Sequence, residues 1–339
     1  MHFMRISYFC NIKLKAMKQI FTFILISIPF LNSCGHKNVP EVFNVNSLVE
    51  IEHFDHRFFT MDSAHLNEDL VQLKTDFPGF FKIEQDDEQL KRRYHDIQIR
   101  ELYTSVDSIF GSVEFLESDL FQAFQYFYYY FPSHDSLKLY TWISNFESIN
   151  PVIVSENTLL VALDMYLGSE SSFYKTAPEY IKQRFDKRYI TSDVFHYYFA
   201  ENIPFPNDNS LLAYMIHFGK IHYLCSKILP KEEQKVIMAY SKNKMDWCLS
   251  NEGNIWAYFI DNQLLFSSEY QTKQRFIEDA PFSKFYTSFD SESPGRVGQW
   301  IGWRLISSYM DSHPEMGLID LINEQDVQKI LRESRYKPK

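Results

Sequence analysis

Several motifs that identify enzymes are missing from this chain of 339 residues. It contains no G-x-S-x-G elbow, no phosphate-binding loop, no dinucleotide fingerprint and no H-E-x-x-H pair. It also has only 4 cysteines and no zinc-type Cys-x-x-Cys pair. We therefore expect no cofactor and no bound metal, and the sequence leans away from an enzyme.

Basic residues are outnumbered, with 34 Lys and Arg against 44 Asp and Glu and a net charge of -10. Residues 1–33 contain four basic side chains and no acidic one, so a chain without them would carry -14. An acidic surface repels phosphate-rich partners. We therefore expect no nucleic acid among the partners.

One apolar run, residues 20–31, lies near the start of the chain behind Lys18. A bilayer-spanning helix needs about 20 apolar residues, so this run is too short to cross a membrane and instead has the form of an export signal. It ends in Leu31-Asn32-Ser33-Cys34, the arrangement of a bacterial lipoprotein signal. Cleavage before Cys34 would leave its thiol to take a diacylglyceryl group and its amine to take palmitate or a similar chain. The alternative is an ordinary secretory signal with a chance cysteine.

These features predict three parts of the chain. Residues 1–33 are the expected signal peptide, with Met17 as the true start because it leads directly into the apolar run. Residues 34–44 are the expected lipidated tether. Residues 45–339 form one predicted domain, since neither a repeat nor a linker divides them.

Hydrophobic periodicity predicts the elements of that domain. Apolar steps of three to five residues indicate an amphipathic helix over 86–110, and an aromatic helix with a core role follows over 114–131. Three β-rich segments suit a small antiparallel sheet of hairpins: 137–144, 152–155 and 158–163. The other predicted helices are 178–185, 191–200, 210–229, 242–266, 294–310 and two short ones near the end. The expected class is α+β.

Two cysteines, Cys225 and Cys248, remain in the predicted domain. They could pair in an oxidising periplasm, or they could stay free and buried among the apolar neighbours on their predicted helices. Both alternatives stay open, because a sequence does not supply the geometry that a disulfide needs.

Two histidine-containing segments are candidates for metal binding, and neither has the required spacing. The segment 52–56, Glu-His-Phe-Asp-His, lacks the preceding histidine of a dinuclear hydrolase, so we interpret it as a polar loop or strand before an apolar anchor. His217 and His222 are five residues apart on a predicted helix, which turns the second ring by about 140°. Lys220 lies near the face of His217, and the two form a polar patch or, preferably, a solvated edge.

The segment 291–303 combines a helix start with small residues. Ser293 is the predicted N-cap and Pro294 the first helical residue. Three glycines follow on one predicted stripe: Gly295, Gly298 and Gly302. Such a stripe permits another backbone to approach closely.

Aromatic and charged side chains adjoin that stripe. The guanidinium of Arg296 could stack on the indole of Trp300 or Trp303. We favour internal packing for these residues over the alternative, a binding groove that Arg296 and Trp300 line opposite Asp290 and Glu292.

Several blocks of the chain, taken in order, resemble the gliding motility lipoprotein GldB family. The most specific blocks are Tyr214-Met215-Ile216-His217-Phe218-Gly219-Lys220, Asn251-Glu252-Gly253-Asn254-Ile255-Trp256-Ala257-Tyr258-Phe259 and Ser293-Pro294-Gly295-Arg296-Val297-Gly298-Gln299-Trp300-Ile301-Gly302-Trp303. Residues 51–55, 163–168 and 334–338 add to the resemblance, which covers nearly the whole predicted mature chain. It implies a cell-envelope lipoprotein associated with gliding motility and the type IX secretion apparatus, with no established enzymatic activity or cofactor.

The same order of sheet and helices is similar to that of zinc metallopeptidases, so a degenerate zincin-like arrangement is expected by fold-level analogy. Phe218 stands where a metallopeptidase would need a glutamate base. The analogy therefore implies a shared fold without the metal chemistry.

The expected function is that of a lipid-anchored, non-enzymatic envelope protein that forms part of, or stabilises, a motility or secretion machine through protein contacts. Two alternatives are kept: a peptidase-like hydrolase or peptide-binding protein, and a small-ligand binder. The candidate groove residues are His217, Lys220, Glu252, Glu292, Arg296 and Trp300.

The expected partners are the membrane, through the lipid on Cys34, and envelope proteins of the machine. Residues 35–38, Gly-His-Lys-Asn, lack the acidic cluster of lipoproteins displayed outside the cell. We therefore expect the domain to face the periplasm, with the outer membrane preferred over the inner membrane.

Overall fold

The computed structural model describes residues 50–82, 86–111, 114–148, 150–287 and 290–339. The predicted signal peptide and tether, with Cys34, lie outside these residues. The described residues combine a four-stranded sheet with many helices. The predicted α+β class is confirmed.

The sheet contains β1 (Glu50–His53), β2 (Lys138–Trp142), β3 (Val152–Ser155) and β4 (Thr158–Ala162), in the spatial order β1-β2-β4-β3. Both β1 and β4 pair with β2 in parallel, so that Leu139 lies opposite Ile51 on one side and Leu159 on the other. Among the four described strands, β3 and β4 form the antiparallel pair, a hairpin that turns at Glu156.

The predicted positions of the three later strands are therefore confirmed, but the antiparallel arrangement is wrong. A long helical connection separates β1 from β2, and a crossover of that kind returns the chain in the same direction. Strand β4 is central and buried along its whole length, as parallel strands covered on both faces are.

Helices surround the sheet. Those before β2 are α1 (Phe54–Phe59), α2 (Leu66–Asp76), α3 (Asp87–His95), α4 (Ile97–Phe110) and α5 (Glu114–Tyr130). Those after β4 are α6 (Glu179–Lys182), α7 (Ile190–Asn202), α8 (Leu211–Ile228), α9 (Gln234–Ile237), α10 (Lys242–Asp261), α11 (Tyr270–Phe276), α12 (Val297–Ser312), α13 (Leu318–Asn323) and α14 (Val327–Ser334). Most predicted helices recur with shifted ends.

The predicted helix 86–110 is in fact two helices, α3 and α4, which meet at Asp96. The Asp96 carboxylate accepts hydrogen bonds from the backbone N–H groups of Gln98 (2.8 Å) and Ile99 (3.1 Å). This N-cap competes with a continuous helix, because aspartate prefers to bind free N–H groups at a helix start. The apolar spacing alone did not show the break.

The aromatic stretch of α5 packs mainly inward. Phe124 and Phe127 are buried, and their rings lie 4.9 and 5.9 Å from that of Phe195 on α7. The predicted core role is confirmed for these residues. Phe121 and Tyr129 are instead exposed at the surface.

Helices α8 and α12 approach each other through glycines. A Cβ atom on Gly302 would lie 1.8 Å from the carbonyl oxygen of Met215, and one on Gly219 would lie 2.3 Å from the carbonyl carbon of Gly302. The predicted close approach is thus confirmed at Gly302. The other two glycines of the predicted stripe face different neighbours, Gly295 against Ala280 and Gly298 against Phe276.

Both cysteines of the domain are free and buried, Cys225 on α8 and Cys248 on α10. The structure therefore has two free, buried cysteines and no disulfide between Cys225 and Cys248. Burial raises the pKa of each thiol, which keeps both in the unreactive protonated form.

Candidate functional site

His217 and Lys220, two of the candidate groove residues, are buried on α8. The Lys220 ammonium donates to the carbonyl oxygens of Ile322 (3.3 Å) and Glu324 (2.5 Å), which end α13. A cation at the C-terminal end of a helix stabilises its free carbonyls. Burial lowers the pKa of Lys220 to about 8 and that of His217 to about 4. The predicted solvated edge is wrong, because this face is covered.

The two helix histidines have different neighbours. The His217 ring lies 4.8 Å from that of Phe205, whereas His222 Nε2 is 3.0 Å from Gln299 Oε1 on α12. Within the described ranges, no group of three His, Cys, Asp or Glu side chains is placed to hold a metal ion. The structure gives no support to the zincin-like arrangement.

Glu252 of α10 joins three elements. Its carboxylate accepts hydrogen bonds from Arg304 Nε on α12 (2.9 Å) and from the Tyr336 hydroxyl near the end of the chain (2.7 Å). The Tyr336 ring also packs edge-on against Trp256, with the ring centroids 5.0 Å apart. These contacts hold residues 334–339 against α10 and leave Glu252 engaged inside the protein.

Trp300 and Glu292, two further candidate groove residues, differ in burial. Trp300 is fully buried on α12, whereas Glu292 is exposed and its backbone carbonyl accepts a hydrogen bond from Lys244 (3.2 Å). Each of the six predicted residues thus has its own neighbours. The structure does not bring them together as the lining of one groove.

Helix α12 begins at Val297, not at the predicted Pro294. The N-cap is Arg296, whose left-handed backbone (φ 61°) is unusual outside glycine. Ser293, the predicted N-cap, instead donates its hydroxyl to the carbonyl of Asp290 (2.7 Å) and accepts from the N–H of Ser283 (3.1 Å). Its side chain therefore closes the loop before the helix.

Arg296 forms part of an ion network around Asp279. Its Nε lies 2.9 Å from Asp279 Oδ1, while Arg184 Nη1 lies 2.6 Å from Asp279 Oδ2. The Arg296 guanidinium also donates to the Met238 carbonyl and stacks over the Tyr240 ring at 5.4 Å. The predicted stacking on a tryptophan is wrong. Burial acts to raise the pKa of Asp279, but the two arginine charges outweigh it and that pKa is lowered.

A second carboxyl group lies deeper in the same region. Asp193 of α7 is buried and accepts a hydrogen bond from the Tyr166 hydroxyl (2.9 Å). Burial raises the pKa of Asp193 to about 6, although Arg184 and Arg296 act in the opposite direction. Its proton is therefore held more tightly than that of Asp279.

A cavity of about 130 Å³ with polar and apolar lining residues lies at the carboxyl ends of the parallel strands, where α/β sheets often bind ligands. The Thr141 hydroxyl donates to the buried Asp55 carboxyl group and lies 3.2 Å from His53 Nδ1. Burial raises the pKa of Asp55. The cavity is lined by His53, Asp55, His56, Val106, Asp107, Phe110, Gly111 and Leu163.

The sheet-edge cavity is a candidate for binding a small polar molecule, since it joins a concave space with a buried carboxyl group of raised pKa. The apolar anchor predicted after 52–56 is confirmed, because Phe54, Phe58 and Phe59 are buried. The sequence did not identify the cavity. The polar residues at the end of β1 are the sequence feature that marks the cavity. They indicate a site only once the parallel pairing of β1 with β2 is known.

The fold and its contacts define a helix-rich α+β domain in which most of the predicted site residues stabilise the interior. The chain belongs to the family described as gliding motility protein GldB, whose model matches residues 35–338. The predicted resemblance is confirmed. No curated protein and no solved structure matches the chain significantly. Among the helices of the described ranges, none combines the length and the apolarity needed to cross a membrane.

Proposed function

We propose that this chain is a lipid-anchored component of the gliding-motility machinery, held in the cell envelope by acyl groups on Cys34. The observation that carries the proposal is the family match, which begins at residue 35, directly after that cysteine. The Leu31-Asn32-Ser33-Cys34 motif supports acylation at the same position. A tether of about ten residues would then keep the domain close to the membrane, facing the periplasm from the outer membrane.

The test is the intact mass and the membrane fraction of Cys34→Ser, with Cys248→Ala, which removes a free cysteine of the domain, as the control. We expect the wild type and Cys248→Ala to carry acyl mass and to sediment with membranes. Cys34→Ser should lose both properties and should reduce gliding. An unacylated wild type, or a Cys34→Ser variant that still sediments with membranes, would contradict the proposed anchor.

The domain is proposed to act through protein contacts, as part of the motility or type IX secretion machine. A cleft of about 550 Å³ between α5, the start of α7 and the turn after α8 supports this role. Its floor includes Ala123 and Ile228, and its rim carries both charges, with Asp119 and Lys231 among them. A mixed surface of this kind suits a protein segment better than a polyanion.

Lys231 provides a way to test the proposed contact face, because it is exposed and lines the cleft. Lys231→Glu is expected to reduce crosslinking to envelope proteins and to slow gliding without lowering the amount of protein. Lys175→Glu makes the same charge change at an exposed position that does not line the cleft, so it is the control and should have no effect. Equal effects of the two variants would argue against this face.

A non-enzymatic role is supported by the contacts of Glu252 and Arg296, whose charged groups are bonded within the protein. The alternative is a peptidase-like hydrolase or a peptide-binding protein. Metal analysis of the purified full chain separates the two. Stoichiometric zinc that disappears in His217→Ala would overturn the non-enzymatic proposal.

A further inference from the structure

A small pocket of about 50 Å³ lies beside the ion network, where the segment after α6 meets the loops before α10 and α12. Four of its lining side chains are charged: Arg184, Lys244, Asp279 and Arg296. Three cations against one carboxylate leave a local charge of +2 in a chain whose net charge is -10. The pocket is therefore a positively charged depression on a protein whose net charge is negative.

The side chains are arranged with the carboxylate outside and the guanidinium groups beneath it. The Asp279 side chain is 41% exposed, compared with 18% for Arg184 and 9% for Arg296. Asp193 lies deeper, bonded to Tyr166, and does not line the pocket. Both arginines nevertheless line the pocket wall, beside the carboxylate.

Both guanidinium groups retain unused donors. Asp279 binds Arg184 through Nη1 and Arg296 through Nε, and the Met238 carbonyl binds Arg296 through Nη2. Each guanidinium has five N–H donors on three nitrogens. Among the described residues, no acceptor forms a hydrogen bond with the remaining guanidinium nitrogens. These are Nε and Nη2 of Arg184 and Nη1 of Arg296.

We infer that this pocket binds an oxyanion, a carboxylate or a phosphate, between Arg184 and Arg296. The planar guanidinium fork matches the two oxygens of such a group. The pocket volume of about 50 Å³ exceeds the roughly 10–15 Å³ that a cavity needs to hold one water, so the pocket has room for a small polar group. The same chemistry has two sources, a free anion or an acidic side chain of a partner protein.

The first experiment uses the full chain in detergent and follows its melting temperature against sodium phosphate, with chloride keeping the ionic strength constant. We expect a saturable rise, as for a ligand that binds only the folded state. Arg184→Gln should weaken the apparent affinity roughly 10-fold or more, since it removes a charged hydrogen-bond donor. Arg304→Gln, which changes an arginine bonded to Glu252, should leave it unchanged.

Gln183 allows a test that keeps the arginines in place, because it is exposed and lines the pocket. Gln183→Glu should weaken phosphate binding and Gln183→Lys should strengthen it. Gln98→Glu makes the same charge change at an exposed position on α4 and should have no effect. Phosphate binding that responds equally to Gln183→Glu and Gln98→Glu would overturn the inference.

The source of the anion is resolved by zero-length carbodiimide crosslinking of Gln183→Lys in intact cells. A partner carboxylate in the pocket would be coupled to the new lysine, and Gln98→Lys, which places a lysine at an exposed position on α4, would not give the same product. Phosphate binding without that crosslink would assign the pocket to a free anion. If neither phosphate binding nor the crosslink is observed, the pocket has no ligand of this class and the inference is refuted. This outcome is independent of the result for the lipid anchor.

Discussion

The sheet edge and the helical half of the protein both hold carboxyl groups with shifted pKa values, but they supply different partners to them. At the sheet edge, Asp55 accepts from the Thr141 hydroxyl, and Asp164 accepts from the Ser144 backbone N–H (2.8 Å) and hydroxyl (2.9 Å). In the helical half, Asp279 lies between two arginines.

The different partners give opposite pKa shifts. Burial raises the pKa values of Asp55 and Asp164, because hydroxyl and amide donors offset only part of the lost hydration. Cations outweigh the same effect at Asp279. The comparison indicates that the helical half depends on charge and close backbone contact, whereas the sheet edge depends on neutral hydrogen bonds.

The largest expected effect concerns the backbone contact of the helical half. Gly302→Ala should destabilise the protein by about 3 kcal/mol, because the added Cβ would lie 1.8 Å from the Met215 carbonyl oxygen and the backbone cannot give way cheaply. The measurement is urea unfolding. Gly317→Ala is the control, since its Cβ would meet only the flexible Asp320 carboxyl group at 3.2 Å. A similar loss in both variants would show that the α8–α12 contact does not decide the result, since helix propensity alone favours alanine over glycine.

The second prediction concerns Asp193, the carboxyl group in the helical half that has a raised pKa. The folded protein keeps its proton up to a pKa of about 6, whereas the unfolded chain loses it near 3.8. Its contribution to stability is therefore full below pH 4 and falls as the pH rises from 4 to 6, by about 3 kcal/mol in total. Asp193→Asn lacks this titration. Urea unfolding of both proteins at pH 4, 5 and 6 measures the difference, and parallel pH curves would contradict the assignment.

The third prediction tests the charge dependence of the ion network. Asp279→Asn should cost about 2 kcal/mol at pH 7, less than the roughly 3–5 of a fully buried pair, because Asp279 is partly exposed. Its pKa is lowered on folding, so its contribution is present above about pH 3.8 and is lost as the pH falls through the folded pKa. Urea unfolding at pH 7 and pH 3 should show the difference between variant and wild type shrinking at the lower pH. A difference that does not change with pH would indicate packing instead of charge.

The sequence predicted the local features of both regions better than their long-range partners. The strands 152–155 and 158–162 and the close approach at Gly302 follow from residue types within a few positions. The parallel pairing of β1 with β2 depends on residues more than eighty positions apart, and no local pattern encodes it. The partner of Arg296 was missed for the same reason, because Asp279 comes from a loop in a different part of the chain.

The smallest expected effect is at the sheet edge. Asp55→Asn should change the stability at pH 7 by less than about 1 kcal/mol, since an amide oxygen can still accept from Thr141 and the raised pKa means that ionised Asp55 opposes folding. In the wild type, the contribution of Asp55 to stability is full below the pKa of the unfolded chain and falls as the pH rises towards the folded pKa. The stability of Asp55→Asn relative to the wild type should therefore increase from pH 4 to pH 7.

Thr141→Val is the matched control for Asp55→Asn, because it removes the donor and leaves the carboxyl group in place. It should cost about 1–3 kcal/mol, the penalty of a buried polar group without its partner. Urea unfolding of the two variants gives the ranking. If Asp55→Asn proves the more damaging, the sheet edge needs a charged carboxylate as the helical half does. The contrast between the two regions would then fail, and a cation held between Asp55 and His53 would become the simplest explanation of the cavity.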